Sequence, residues 1–311
     1  MIPKIAHFIW YGDQFPWVNV LAIRSLWMRG DVERIVLHHD QDLTATPHWS
    51  ALSEVDVLET RRLDPAALFS RLPVDKDALL KLHNGLSAPN ARANIVRAAI
   101  LADEGGVYLD LDTITVGPLT SMFGCGVFCG NERIVFPATV ARSRDPRVLL
   151  RSIGLVAFRD ACRRMPRGWR VFRRYEHLFH LAVNNAVLGA EARHPFMLRL
   201  LEAMTELPEA RRGVPYALGT HLLQAEVARY AGADLEVLKP EVFYPLGPVV
   251  SQHWFRLGTS VTLEQVLPHE TRVVHWYASV KTKRVAPQID PSYVRAHEGR
   301  QLFSALAAQF L

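Results

Sequence analysis

The sequence contains no Gly-x-x-x-x-Gly-Lys loop, so the backbone cradle with which P-loop proteins hold nucleotide phosphates is excluded. Cysteine is scarce. Cys125, Cys129 and Cys162 form an odd set without metal-ligand spacing, which excludes a disulfide framework and predicts buried thiols in a reducing compartment. Long hydrophobic runs are also missing, and no stretch approaches the length of a membrane-spanning helix. Met1-Ile2-Pro3-Lys4 leads directly into a strand-like segment rather than a secretory leader. Neither sign of charge dominates. With 36 basic and 31 acidic residues the net charge is +5, which favours an anionic ligand but does not argue for nucleic acid. These absences lead to the expectation of a cytoplasmic protein.

The 311 residues are enough to bury the core of one large α/β domain with helical additions. Residues 2–11 (IPKIAHFIWY) are an apolar run rich in β-formers, read as the first buried strand of a mostly parallel sheet. Residues 17–29 follow as a helix closed by Gly30. Glu33–His39 reads as a second strand and Val55–Leu58 as a short third. Strand, helix and strand at this spacing make a right-handed crossover. The region 41–86 is irregular, with Arg61-Arg62 and a helix around Asp77–His83, and is expected to hold acceptor-facing loops.

The chain is organised around residues 87–113 (SAPNARANIVRAAILADEGGVYLDLDT). Ser87 can cap a helix whose first turn accepts Pro89. Ile95, Ala99 and Ala102 recur at helical spacing, and Gly105-Gly106 stops the helix. Val107–Leu109 then form a strand that ends in Asp110 and Asp112, which alternation places on one face. Two carboxylates held that close repel unless a cation lies between them. Hard oxygen ligands of this kind suit Mg²⁺ or Mn²⁺ together with a substrate diphosphate. Alone, Asp-x-Asp also reads as a solvated strand end.

Farther along, Thr113–Val116 continues as a strand, and residues 126–136 read as a strand pair turning at Gly130-Asn131. Asp145–Cys162 is an amphipathic helix. The basic run Arg163–Tyr175 is either a solvated face or a surface for an anionic acceptor, such as a lipid-linked phosphate or a membrane. Gly219-Thr220 opens a helix whose N-terminus favours an anion. Valines 273 and 274 lead into His275, Trp276 and Ser279; Lys281, Lys283 and Arg284 follow, able to neutralise phosphate or simply to face solvent.

Arg97, Gly105, Gly106, Tyr108, Asp110 and Asp112 together resemble the core motif of the Asp-x-Asp sugar-transferase superfamily. That group includes glycosyltransferase family 32, the yeast-type initiating mannosyltransferases and the glucosylating domains of clostridial toxins. Residues 2–12 resemble the Ile-Pro-Lys-x-x-His-x-Ile-Trp-x-Gly opening of family 32, and residues 184–197 its Asn-Asn-x-x-x-Gly-x-x-x-x-His-Pro-Phe segment. One position departs: Asn94 stands where the family usually has aspartate.

The resemblance implies a single GT-A-type, Rossmann-like nucleotide-sugar-binding domain, with residues 1–120 as the nucleotide half and 121–311 as the donor and acceptor half. It implies a hexosyltransferase, retaining and dependent on Mn²⁺ or Mg²⁺, that takes a UDP-sugar, or a GDP-sugar as second choice, to a glycan or lipid-linked acceptor in bacterial-type polysaccharide synthesis. Trp10 would stack on the base, while His7 is expected to be a hydrogen-bonded core residue. Asp112, Asp110 and His275 would hold the metal, and Arg97 would reach the diphosphate or sugar. Asn94, Tyr108, Asp110, Asn184, Asn185 and Ser279 complete the expected donor contacts. The basic run 163–175 would allow peripheral contact with the inner membrane face. Two other readings use the same residues: a nucleotidyl or phosphoryl transferase, and a non-catalytic sugar-binding module.

Overall fold

A computed structural model describes residues 1–137, 140, 143–258, 262–278 and 285–311. Its centre is β1 (Ile5–Trp10), whose four middle residues are buried. It pairs in parallel with β2 (Arg34–His39) on one side and β4 (Gly106–Leu109) on the other. Covered on both faces, β1 has no reason to alternate apolar with polar, which is why IAHFIW reads as a continuous run. Beyond β2 lies β3 (Leu58–Arg62), also parallel. Beyond β4 come β7 (His180–Ala190), antiparallel to it, then β6 (Val127–Ile134) and β8 (Leu235–Leu238). The order is β3-β2-β1-β4-β7-β6-β8, with four parallel pairings and two antiparallel. The expected α/β class with a mostly parallel sheet is therefore observed, and one sheet runs through both sequence halves.

Alternation along the strands divides the core. Phe8, Val107, Leu109 and Phe128 face α1 (Trp17–Arg29) and the C-terminal helices. Ile9, Tyr108, Cys129 and Leu188 face the other way, toward α2 (Pro65–Ser70), α3 (Lys76–Asn84) and α4 (Pro89–Glu104). Burying one such large apolar side chain contributes about 1.5–3 kcal/mol. A separate ribbon joins β5 (Thr113–Thr115) to β9 (Val273–His275).

Several local expectations need correction. Ser87 does not cap α4; Ala88 occupies the cap without a side-chain bond, and Pro89 sits in the first turn. The third strand begins at Leu58 rather than Val55, because Val55–Leu58 instead forms a turn closed by Leu58 N–H on the Val55 carbonyl. Residues 126–136 hold one strand with a bulge after Cys129, not a hairpin at Gly130-Asn131. Gly130 serves close packing: a Cβ there would lie 2.6 Å from the Phe243 ring and 2.8 Å from Tyr244. The three thiols are free as expected, but Cys125 is only half-buried.

Candidate active site

The site begins at the end of α4. Gly105 and Gly106 have φ of +69° and +99°, and a side chain on Gly106 would collide with the carbonyl oxygen of Ile5. Only glycine lets the chain turn this tightly against β1. β4 then carries Tyr108 and Asp110 on the α4 side of the sheet. The Tyr108 hydroxyl donates to Asp110 Oδ1 at 2.6 Å. Arg97, buried in the middle of α4, lies over the Tyr108 ring, with Cζ 4.3 Å from the centroid, and sets Nη2 3.1 Å from Asp110 Oδ1. Its Nη1 donates to the Asn185 carbonyl on β7. Arg97 is thus ion-paired with Asp110 and also lines the cleft described below.

The β5–β9 ribbon brings the late segment back to this point. Thr113 pairs with His275, and the Trp276 N–H donates to the Asp112 carbonyl at 3.1 Å. Asp112 Oδ1 lies 2.9 Å from His275 Nε2, and its Oδ2 accepts from the Ala278 N–H at 2.8 Å. Asp110, Asp112 and His275 offer ligand atoms that all lie within 4.8 Å of one another. Tyr277, between His275 and Ala278, is held at φ +60°, a strained conformation for a side chain of its size.

The three groups share charge. Burial and the neighbouring Asp112 raise the Asp110 carboxyl, while Arg97 opposes them. Burial also pushes Asp112 upward, but His275 and the Ala278 amide outweigh it, so its net shift is downward. Burial pushes His275 down; the charge and hydrogen bond of Asp112 reverse this and leave it raised. The lowered Asp112 carboxyl and the raised His275 imidazole thus report one shared contact.

A cleft of about 480 Å³ opens over Asp110 and Asp112. Trp10, steadied edge-on by Phe15 with centroids 5.7 Å apart, forms one wall. Asn19, Asn90, Trp276 and Ala286 also line it. Trp10 Nε1, Asn19 Nδ2, Arg97 Nε and Trp276 Nε1 are buried donors without a protein partner. Buried donors of this kind need acceptors. Asn19 and Trp276 were not anticipated as site residues. A signal for Asn19 did exist: an amide in the middle of the otherwise apolar helix WVNVLAI, and 4% exposed.

The predicted amides are placed differently. Asn185 Nδ2 donates to Asn94 Oδ1 at 2.8 Å, and this pair abuts Gly219 at the opening of the helix Thr220–Arg229. Asn184 is buried deeper; its Oδ1 accepts from the Ala186 N–H and the Tyr244 hydroxyl. Asn184 also donates to Glu132, a carboxylate the sequence did not flag. Glu132 accepts from the Tyr277 hydroxyl at 2.7 Å, and burial raises its carboxyl against both bonds. None of Asn94, Asn184 and Asn185 is among the residues that line the cleft. Ser279, Lys281, Lys283 and Arg284 lie outside the described residues.

His7 is the core residue expected, bonded to His38 and to the Gly105 carbonyl. The basic run 163–175 is partly structural: Arg163 donates to the carbonyls of Pro248 and Val249, and Arg173 to those of Gln265 and Val266.

Residues 27–126 match the family described as "Glycosyltransferase sugar-binding region containing DXD motif". The matched stretch runs from the end of α1 through Asp110 and Asp112. Three solved structures are similar. PaToxG glycosyltransferase is 16% identical, covering 73% of this chain and 69% of that one, with a TM-score of 0.46. The apo form of mouse xyloside xylosyltransferase 1 is 12% identical over 87% and 96%, at 0.47. The ligand-free glycosyltransferase domain of the YGT toxin is 10% identical over 76% and 80%, at 0.43. No curated protein matches the chain in sequence.

Proposed function

We propose that this glycosyltransferase takes a sugar from a nucleoside-diphosphate donor, a UDP-sugar by preference, and passes it to a hydroxyl of a glycan or lipid-linked acceptor. The observation that carries the reading is the convergence of Asp110, Asp112 and His275, with both aspartates lining a cleft walled by Trp10. Two carboxylates and one imidazole are a donor set for Mn²⁺ more than for Mg²⁺, because the nitrogen ligand suits a transition metal. His275 Nδ1 is buried and unpartnered, so the set has capacity left for a ligand. A divalent cation held there supplies Lewis-acid stabilisation to the departing diphosphate.

The chain's own residues orient the donor. Trp10 presents an aromatic face for a base, and the free donors on Asn19 and Trp276 meet ribose or phosphate oxygens. Arg97 cannot swing freely, since Asp110, Tyr108 and Asn185 hold it. It fixes Asp110, and its buried Nε has no protein partner. The half-buried Asn94–Asn185 pair stands beside Arg97 outside the cleft's lining, and a sugar that extends past Arg97 would meet its amide groups. Among the described lining residues the cleft's carboxylates are Asp110 and Asp112 alone. With both assigned to the metal and Glu132 tied into its own buried network, no side chain is placed as a covalent nucleophile. Retention then proceeds by front-face attack: the sugar–phosphate bond breaks, and the acceptor oxygen enters from the same side with its proton passing to the leaving phosphate oxygen.

Release of UDP or GDP from a panel of nucleotide-sugars, measured with Mn²⁺, with Mg²⁺ and with chelator, tests the reading. Turnover of one donor that is abolished by chelator and by Asp112→Ala supports it. Failure of every nucleoside diphosphate to bind would sink it.

A further inference from the structure

Among the described residues, nine of the fifteen exposed large apolar side chains fall between Phe136 and Leu181. Clustering of that kind marks a surface that meets something other than water. On the helix Pro146–Arg164, Leu149, Leu150 and Ile153 are 46%, 71% and 66% exposed, and Gly154, Ala157 and Ala161 continue the same stripe outward. The Arg151 guanidinium donates to the Leu178 carbonyl at 3.1 Å, which joins this stripe to exposed Leu178. Leu181 and Phe136 extend the surface at the start of β7 and just past the end of β6.

Charge surrounds the apolar stripe. Residues 143–175 contain ten arginines and two aspartates, so the remainder of the chain is net negative. Seven of these arginines are exposed, while Asp145 caps the helix and Asp160 pairs with Arg159. The surface lies on the active-site edge of the sheet. β7 pairs with Leu109 at Val187, so its first residues project beyond the end of β4 that carries Asp110. Leu181 is about 13 Å along the strand from Asn185 at an ordinary β-rise.

We infer that this face seats the chain on an anionic lipid bilayer, with Leu149, Leu150 and Ile153 entering the interface and the arginines meeting lipid phosphates. A second copy of the chain fits poorly, since pairing this face with itself would oppose two strongly cationic segments. Resting on the reading of a sugar transferase with a lipid-linked acceptor, the seating names where that acceptor is met. It also revises the expected contact: the run 163–175 supplies charge, and the helix before it supplies the apolar insertion.

The full chain is sedimented with vesicles of phosphatidylcholine alone and with one-third phosphatidylglycerol. Binding to the anionic vesicles only, weakened by 0.5 M NaCl and reduced at least about 10-fold in Leu150→Glu/Ile153→Glu, is the expected result. Both positions are exposed, so the variant should keep its circular dichroism and its release of nucleotide from soluble donor. A second variant, Arg147→Gln/Arg151→Gln, should lose binding in proportion to its charge. No binding to anionic vesicles, or equal binding by the glutamate variant, overturns the inference. So does a dimer in analytical ultracentrifugation that the glutamate variant dissociates. Vesicle binding does not depend on turnover, so loss of the transferase reading leaves this result separately legible.

Discussion

His275 and Asp112, 163 positions apart in the chain, meet with Nε2 2.9 Å from Oδ1. Nothing local to either residue arranges this. The meeting depends on the two-stranded ribbon that pairs Thr113 with His275, so the proposed metal site is assembled only when the chain's late segment has docked on the centre. Cation binding and closure of that ribbon should therefore be linked.

The linkage can be measured as heat stability. Mn²⁺ at about 100 times its dissociation constant should raise the melting temperature by about 5 °C. Asp112→Asn should abolish the shift and lower nucleotide release at least about 100-fold, the Lewis acid being lost. His275→Ala should reduce the response to Mn²⁺ more than that to Mg²⁺, because it removes the one nitrogen donor. Equal loss for both ions would remove His275 from the ligand set.

Arg97 is expected to act on stability as well as turnover. Arg97→Ala leaves the half-buried Asp110 without its cation and the Asn185 carbonyl without its donor. Breaking a largely buried pair on one side costs about 3 kcal/mol. Arg97→Lys keeps the charge but lacks the planar fork, so an intermediate loss is expected. Urea unfolding curves at pH 7 provide the comparison.

Asn19 and Trp10 should separate binding from folding. The Asn19 amide nitrogen is buried without a partner, so Asn19→Ala should leave the free protein as stable as before or slightly more so. Nucleotide affinity should nevertheless fall about 10-fold in Asn19→Ala and in Trp10→Ala, a hydrogen bond or a stacked base being lost. Calorimetric titration with UDP reads the second quantity and a thermal melt the first.

Much of this was legible before the structure, for definite reasons. Gly105, Gly106 and the aspartates stood out because the helix, glycine turn and strand place them together with Arg97 and Tyr108 in one motif; Asp-x-Asp alone would not have sufficed. Trp10 was singled out by the resemblance of residues 2–12 to the family 32 opening, and it lines the cleft. β7 was not read as a strand, although at eleven residues it is the longest in the sheet. Its Asn184 and Asn185 interrupt the apolar pattern because they serve tertiary bonds. The turn expected at Gly130 failed for a related reason: the missing side chain makes room for Phe243 and Tyr244, residues more than a hundred positions away. Glu132 was invisible, since nothing near it in sequence reveals the Tyr277 and Asn184 that satisfy it.

Acid should weaken the fold through the β1–β2 histidines. Burial lowers His7 from an ordinary 6.5 to about 4, and His38 beside it is also lowered. The folded state holds His7 neutral where the unfolded chain would bind a proton. Its contribution is complete above pH 6.5 and is lost as the pH falls toward 4. The full span corresponds to about 3 kcal/mol. Between pH 6.5 and 5 the ordinary carboxylates stay ionised, so urea midpoints over that interval should fall more steeply in the parent than in His7→Gln.

Asn94 offers the sharpest test of how the sugar is met. Asn185 Nδ2 donates to Asn94 Oδ1 at 2.8 Å, and an aspartate can accept the same bond, so Asn94→Asp should fold with an unchanged melting temperature. The new carboxylate would sit one helical turn from Arg97 and add a charged acceptor for a sugar hydroxyl. A hydrogen bond to a charged group exceeds a neutral one by about 1 kcal/mol, so kcat/KM for hydroxyl-rich hexose donors should rise about fivefold. Asn94→Leu removes the acceptor altogether, leaves the Asn185 amide unpaired and should lower both stability and turnover. If Asn94→Asp changes neither donor preference nor kcat/KM, the residue serves only to hold Asn185. The sugar must then be read through other groups.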